Sequence, residues 1–135
     1  MKRIITTTEA PAAIGPYSQA VELNGTVYIS GQIPVVPSTG TIPEGIEAQT
    51  RQVLDNIGAI LKADGLGFNN VVKTDVYMQD LGEFSAMNAV YAEYFPEDKP
   101  ARVCVQVVAL PKGVKVEIAA VAGYYDNSEP DLLGE

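Results

Sequence analysis

The stretch PARVCVQVVALPKGVKVEI, residues 100–118, carries the strongest structural and chemical signals in the chain. Two apolar strands are predicted in it, on either side of a turn at Pro111, and we expect them to pair as a terminal β-hairpin. Arg102 stands at the head of the first strand and Glu117 lies inside the second. A charge buried in such a stretch without a partner costs several kcal/mol, so it must find a counterion or reach a ligand. Arg102 and Glu117 are therefore the first candidates for a functional site.

A hairpin and a helix are predicted in the first half of the chain. Asn24 and Gly25 separate two alternating apolar runs, which is the strongest short-range signal for a β-hairpin. Residues 35–45 contain prolines and glycines without periodicity and are predicted to form a long loop. Apolar residues then recur at helical spacing over residues 46–64, and Gly65 is suited to end that helix.

The second half of the chain begins with a strand predicted over residues 71–78. Asp80 and Glu83 have the spacing of a capping box, which predicts the start of a second helix that Pro96 ends. Helical crossovers join parallel strands, so the predicted fold class is α+β, a mixed sheet with both helices packed on one face. The other face also carries apolar residues, and we expect a partner subunit to cover it.

Composition indicates a single small domain with no membrane segment. The chain has 135 residues, contains no apolar run near the ~20 residues of a membrane span and shows no cationic-then-apolar leader. We therefore expect a cytoplasmic protein without membrane contact. The chain has one cysteine and no histidine, so it cannot form an internal disulfide, and a transition-metal site would need carboxylates and a lone thiol. We expect no metal.

The charge distribution argues against nucleic acid as a partner. The formal net charge is -8, whereas binding to a phosphate backbone relies on lysine and arginine. Residues 1–123 are predicted to form the domain, and residues 124–135 an acidic, mobile C-terminal extension. That extension has no basic residue and contributes four of the acidic ones, Asp126, Glu129, Asp131 and Glu135.

Four motifs in order resemble the RidA/YjgF family of reactive-intermediate deaminases. They are AIGPYSQ at residues 13–19, SGQIP at residues 30–34, MNA at residues 87–89 and the stretch at residues 100–118. The resemblance extends over residues 4–123. It implies a chorismate-mutase-like fold and a homotrimer whose ligand sites lie in the clefts between subunits.

The resemblance also implies a reaction, the hydrolysis of 2-imino acids to 2-keto acids and ammonia. PLP-dependent serine and threonine dehydratases release the enamines 2-aminoacrylate and 2-aminocrotonate, which tautomerise to these imines. Imines hydrolyse unaided, so catalysis requires positioning, charge stabilisation and proton transfer, and no cofactor is expected.

The resemblance also implies site residues, at the positions of this sequence that match the family's motifs. Arg102 is expected to bind the substrate carboxylate through two parallel hydrogen bonds, which a lysine cannot reproduce. Glu117 and the backbone carbonyl of Cys104 are expected to orient or activate water, and Tyr17 to close the site. These assignments make Arg102, Glu117 and Tyr17 catalytic. The further substrate-binding residues implied by the resemblance are Ser30, Gly31, Asn88, Val103 and Cys104.

Structural alternatives stay open for several of these residues. Arg102 and Glu117 could form a buried salt bridge with no other role, and Asn88 could hold a neighbouring loop. The Cys104 thiol has no histidine to act as its base and is more typical of packing than of a nucleophile. Val108 replaces the small residue usual in the family, which leaves substrate preference open.

Two other functions stay open for the chain as a whole. A carboxylate clamp binds a keto-acid product as readily as an imine, so a non-catalytic 2-keto-acid-binding regulator is one alternative. An endoribonuclease or translation inhibitor is the other, because such activities have been attributed to members of the family.

Overall fold

The computed structural model describes residues 1–124, which form a six-stranded mixed sheet covered on one face by two helices. The strand order is β1-β2-β3-β6-β4-β5, and only the β4–β5 pair is parallel among the strands described. The predicted α+β class, with its mixed sheet and two helices, is confirmed. The elements are β1 (Arg3–Ile5), β2 (Ala20–Leu23), β3 (Thr26–Gln32), α1 (Ile46–Ala63), β4 (Val71–Met78), α2 (Phe84–Tyr94), β5 (Ala101–Gln106) and β6 (Val116–Gly123).

Local signals account for the first half of this architecture. Asn24 and Gly25 both adopt positive φ, 53° and 83°, and connect β2 to β3 as the predicted hairpin. Helix α1 ends where Gly65 takes a φ of 75° and its N–H bonds to the Lys62 carbonyl. The Asn56 side chain of α1 donates to two carbonyls of the loop that follows β3 and so ties that loop to the helix.

The start of α2 differs in detail from the prediction. Asp80 accepts a hydrogen bond from the Gly82 N–H and caps a short 3₁₀ turn that leads into the helix. The Glu83 carboxylate accepts instead from Lys115, at 3.3 Å. Only the Asp80 half of the capping box is therefore formed, because Lys115, just before β6, binds the Glu83 carboxylate.

The predicted terminal hairpin is wrong. β5 and β6 do not pair, because β4 lies between them, parallel to β5 and antiparallel to β6. In this position β6 has hydrogen-bonded neighbours on both sides, β3 and β4. The turn at residues 107–115 thus spans the end of β4, a non-local arrangement that a local turn signal cannot distinguish from a hairpin.

Alternation along the central strands defines the two faces of the sheet. On β6 the side chains of Val116, Ile118, Ala120 and Ala122 are buried under the helices, while those between them are half-buried. The face without helices, called here the open face, exposes Tyr28, Val103 and Val105. No helix within residues 1–124 is long and apolar enough to cross a bilayer.

The predicted C-terminal extension lies mostly outside the described residues, which stop at its first member, Tyr124. The Tyr124 N–H donates to the Gly25 carbonyl at 3.0 Å, and its hydroxyl donates to Asp64 Oδ2 at 2.7 Å. These bonds attach the end of β6 to the β2–β3 turn and to the end of α1.

Candidate active site

The predicted site residues lie on opposite faces of the sheet. Arg102 pairs with Thr74 in the parallel β4–β5 ladder, and Thr74 is buried under the helices. Glu117 pairs with Tyr77 in the β4–β6 ladder, one position out of phase with the buried set, so its side chain lies on the open face. A salt bridge between Arg102 and Glu117 within one chain is therefore excluded, and the two residues do not meet in a single protomer.

Helix α2 holds the guanidinium of Arg102. Nη1 of Arg102 donates to Asn88 Oδ1 at 2.7 Å, and the guanidinium carbon lies 4.8 Å from the Tyr91 ring centre and 5.5 Å from that of Phe84. We call these four residues, together with Cys104, the arginine cluster. No carboxylate within residues 1–124 pairs with Arg102, so most of its N–H donors are left for a ligand.

Cys104 belongs to the arginine cluster through its side chain and to the sheet edge through its backbone. Burial raises the pKa of the thiol, and the nearby Arg102 charge only partly opposes that shift. The Val107 N–H bonds to β4, so by alternation the backbone groups of Cys104 face the outer edge of β5. Burial therefore favours the neutral thiol, and no neighbouring strand within residues 1–124 bonds to the Cys104 carbonyl. The side chain of Val103 lies on the open face.

A β-bulge in β3 shapes the part of the candidate site that contains Glu117. Ile29 pairs with Ala120 and Gln32 pairs with Ile118, so Ser30 and Gly31 together oppose a single residue of β6. A bulge of this kind bends the strand and turns its backbone and side chains to new directions. Here it places Gly31 directly against the Glu117 side chain.

Glycine at position 31 leaves the space that the Glu117 carboxylate occupies, and a larger residue there would displace the carboxylate. An ideal Cβ built there would overlap Glu117 Oε2 and lie 3.0 Å from its Cδ. The carboxylate therefore rests against bare backbone. Tyr17, Ser30, Gly31 and Glu117 are called here the glutamate cluster.

The Glu117 carboxylate is electrostatically unusual. Desolvation by burial raises its pKa above the ordinary range for glutamate. Within residues 1–124 no hydrogen bond or ion pair engages this carboxylate. A half-buried, unpartnered carboxyl with a raised pKa is suited to exchange a proton with a substrate or water.

Tyr17 lines a cleft of about 310 Å³ next to the bulge. Tyr17 and Gly31 share its lining with apolar loop residues and Lys112. The Tyr17 ring is half exposed, and its hydroxyl accepts a long hydrogen bond, 3.4 Å, from the Ile14 N–H. The Ser30 hydroxyl instead donates to the Ser18 carbonyl at 2.6 Å and ties β3 to the Tyr17 segment.

Some contributors were missed by sequence reasoning. Phe84 and Tyr91 were assigned no role from the sequence, yet with Asn88 they form the surface on which Arg102 rests. Their positions four residues before and three residues after Asn88, on the same side of a helix, were the signal that could have identified them. Val108 is 96% exposed and does not line the cleft at Tyr17. Residues 1–124 contain no group of three acidic, histidine or cysteine side chains that could hold a metal ion.

Comparisons with known proteins agree on one fold and one family. The crystal structure of Escherichia coli TdcF with bound serine matches with a TM-score of 0.89 at 47% identity, covering 91% of this chain and 99% of that one. A mouse relative named 2-iminobutanoate/2-iminopropanoate deaminase is 51% identical, over 90% of this chain and 91% of its own length. An Escherichia coli relative of the same name is 50% identical, over 90% of this chain and 98% of its own.

The sheet order and the two helices on one face define an α+β protein with the fold of the Escherichia coli YjgF gene product, whose crystal structure matches with a TM-score of 0.89 at 48% identity, covering 91% of this chain and 99% of that one. The family model described as Endoribonuclease L-PSP matches residues 7–124, nearly the whole chain. The chain therefore belongs to this family, the RidA/YjgF family that its motifs resemble.

Proposed function

We propose that the protein is a hydrolytic deaminase that converts 2-iminobutanoate and 2-iminopropanoate to 2-keto acids and ammonia. The observation that carries the proposal is a pair of charged groups without an ion-pair partner in residues 1–124, an arginine on one face of the sheet and a carboxylate with a raised pKa on the other. A substrate with a carboxylate and a hydrolysable C=N bond needs both. Relatives that carry this deaminase name at about half identity support the same reaction.

Each group has a role in the proposed reaction. Arg102 binds the carboxylate of the imino acid, and the E. coli relative with bound serine shows that a protein of this fold accepts a small amino acid. Glu117 takes a proton from water as the oxygen attacks the imine carbon and returns it to the imine nitrogen, so the resulting carbinolamine holds all the atoms of substrate and water. The Cys104 carbonyl accepts from that water. Glu117 then transfers the hydroxyl proton of the carbinolamine to its amino nitrogen, the C–N bond breaks, and ammonia and the keto acid are released, with Tyr17 closing the cleft.

The remaining residues support these roles. Asn88 holds Arg102 through its hydrogen bond at 2.7 Å, and Ser30 fixes the segment that carries Tyr17. Gly31 lets the substrate and Glu117 approach the backbone closely. Val103 lies on the open face beside the strand edge and contributes to the wall of the site.

We further propose that each site is shared by two subunits of a homotrimer. The arginine and glutamate clusters face opposite sides of one sheet, so a complete site requires the second cluster from a neighbouring copy. The open face exposes Tyr28, Val103 and Val105, apolar surface suited to such an interface. Enamines released by PLP-dependent serine and threonine dehydratases are the expected source of substrate, in the cytoplasm.

Semicarbazone trapping tests the proposed function. An amino-acid oxidase or a dehydratase generates the imine, and semicarbazide converts it to an absorbing adduct unless it is hydrolysed first. The protein, well below the imine concentration, is expected to suppress the adduct in proportion to time and enzyme. Unchanged adduct formation would refute the deaminase. Binding of 2-ketobutanoate in calorimetry without suppression would then favour the regulator, and cleavage of added RNA the endoribonuclease.

Hybrid trimers are expected to recover activity from two inactive parents. In a mixture of Glu117→Gln and Arg102→Ala subunits, random assembly places both intact residues at about one quarter of the sites. Subunits with different affinity tags are refolded together and the mixed species are assayed. Each parent alone serves as the control. Absence of recovery in mixed trimers, or full activity in a monomer by light scattering, would contradict the shared site.

Cys104→Ala is expected to keep its activity within about threefold of wild type, because the proposed contribution comes from the backbone carbonyl. Burial raises the pKa of the thiol, and the chain has no histidine to act as its base. The measurement is kcat/KM in the trapping assay. A correctly assembled but inactive variant, or a covalent substrate adduct on Cys104 in mass spectrometry, would make the thiol a nucleophile.

A further inference from the structure

We propose that Tyr91 is a positioning residue that fixes the plane of the Arg102 guanidinium and is itself held in place by Thr74. The inference rests on the proposed function, because it concerns how Arg102 presents its donors to a carboxylate. Nothing in the motifs of the chain assigns Tyr91 a role beyond the core, where its burial, 7% exposed, would place it.

Thr74, Tyr91 and Arg102 lie close together between the sheet and α2. Thr74 on β4 is the register partner of Arg102 on β5, so both lie at the same level of the sheet and face the same helix. The Tyr91 hydroxyl and Thr74 Oγ1 are 2.7 Å apart, in a buried hydrogen bond. This bond anchors the tip of the ring to the strand next to Arg102, and the guanidinium carbon lies 4.8 Å from the ring centre.

A second contact prevents the ring from rotating away. Phe95, 3% exposed, packs against Tyr91 with ring centres 4.7 Å apart. The ring is thus fixed at its tip by Thr74 and along its side by Phe95. A ring held in this way offers a stable face for the guanidinium.

Arg102 needs such support because of its location. It stands on β5, which is an edge strand with one neighbour among the strands of residues 1–124, and its long side chain has many rotamers. The single hydrogen bond to Asn88 fixes one nitrogen and leaves rotation about that bond. Stacking on an aromatic ring fixes the plane, and two parallel hydrogen bonds to a carboxylate depend on that plane.

Substitution of the ring separates positioning from packing. Tyr91→Leu is expected to raise the Kd for 2-ketobutanoate in calorimetry, and the KM for the imine, about tenfold, with a smaller change in kcat. Phe68→Leu is the matched control, because it removes a partly buried aromatic ring that packs against Tyr94 and Phe95 and that has no ring contact with Tyr91 or Arg102 within residues 1–124. It is expected to lower the melting temperature and leave Kd unchanged. Tyr91→Phe keeps the ring and is expected to bind within about threefold of wild type.

A double-mutant cycle provides the decisive measurement. If Tyr91 acts through Arg102, Tyr91→Leu has no further effect on Kd in an Arg102→Ala background. Equal effects of Tyr91→Leu with and without Arg102 would overturn the proposal, as would equal shifts in Kd for Tyr91→Leu and Phe68→Leu.

Failure of the Tyr91 proposal can be distinguished from failure of the proposed deaminase function. Should Tyr91→Leu fail to assemble, Thr74→Val preserves the ring and removes its anchor, and an unchanged Kd in that variant would overturn the inference. Wild-type protein that binds 2-ketobutanoate but hydrolyses no imine would refute the deaminase alone, because the binding cycle still reports on Tyr91. Wild-type protein that binds no keto acid would overturn the role of Arg102 and with it that of Tyr91.

Discussion

Arg102→Lys is expected to lower kcat/KM for 2-iminobutanoate about ten- to a hundredfold while the protein still folds and assembles. Each charge-assisted hydrogen bond contributes about 1.5 to 3 kcal/mol, and lysine keeps the charge but cannot form two parallel bonds to one carboxylate. Lysine also lacks the guanidinium that lies over the Tyr91 ring, 4.8 Å from its centre, and that donates to Asn88. Semicarbazone trapping supplies the rates, and light scattering verifies the assembly.

Arg51→Lys is the matched control for this prediction. Arg51 also makes two hydrogen bonds, to the Glu93 carboxylate at 2.9 and 3.2 Å, but it lies on the exposed side of the helices. The same chemical change there should leave kinetics untouched, since exposed ion pairs contribute little. Kinetics close to wild type in Arg102→Lys would remove Arg102 from the site.

Glu117→Gln is expected to lower kcat about a hundredfold or more and to leave 2-ketobutanoate binding largely intact. Glutamine keeps the shape of the side chain beside Gly31 but cannot take a proton from water. Wild-type kcat should fall as pH drops through the raised pKa of Glu117, because the base is then protonated. The glutamine variant should lose that pH dependence.

Stability should change in the opposite direction to activity. Burial raises the folded-state pKa of Glu117, so the folded protein binds this proton more tightly than the unfolded chain does. The ionised carboxylate therefore costs folding free energy at neutral pH, and the cost disappears below the unfolded pKa, about 4.3. Glu117→Gln should melt at a higher temperature than wild type at pH 7, and the difference should vanish in acid.

Glu93→Gln provides the contrast. The Arg51 guanidinium lowers the pKa of Glu93, so its ionised form is favoured by folding and the glutamine variant should gain no stability at pH 7. Its kinetics should match wild type.

Loss of both stability and keto-acid binding in Glu117→Gln would instead identify Glu117 as a structural counterion.

Much of the architecture was accessible from local pattern. The turn at Asn24 and Gly25 and the strand at Val71–Met78 were predicted, because each depends on residues close together in the chain. The terminal hairpin was predicted wrongly for the same reason. The alternation of apolar residues along a strand does not indicate which strand it pairs with. A turn between two strands is equally compatible with a third strand inserted between them, as β4 is between β5 and β6.

The candidate site shows the same division. Residue chemistry alone singled out Arg102 and Glu117, because charges in apolar strands need a partner or a ligand. Sequence also supplied the family motifs that relate Tyr17, Ser30 and Gly31 to them. The tertiary structure decided that the two charges lie on opposite faces, since β4 separates their strands and sets a different register with each. It also decided that a bulge brings Gly31 against Glu117 and that Tyr91 lies over Arg102. These relations depend on strand order and register, and the backbone hydrogen bonds that determine them are chemically the same at almost every residue.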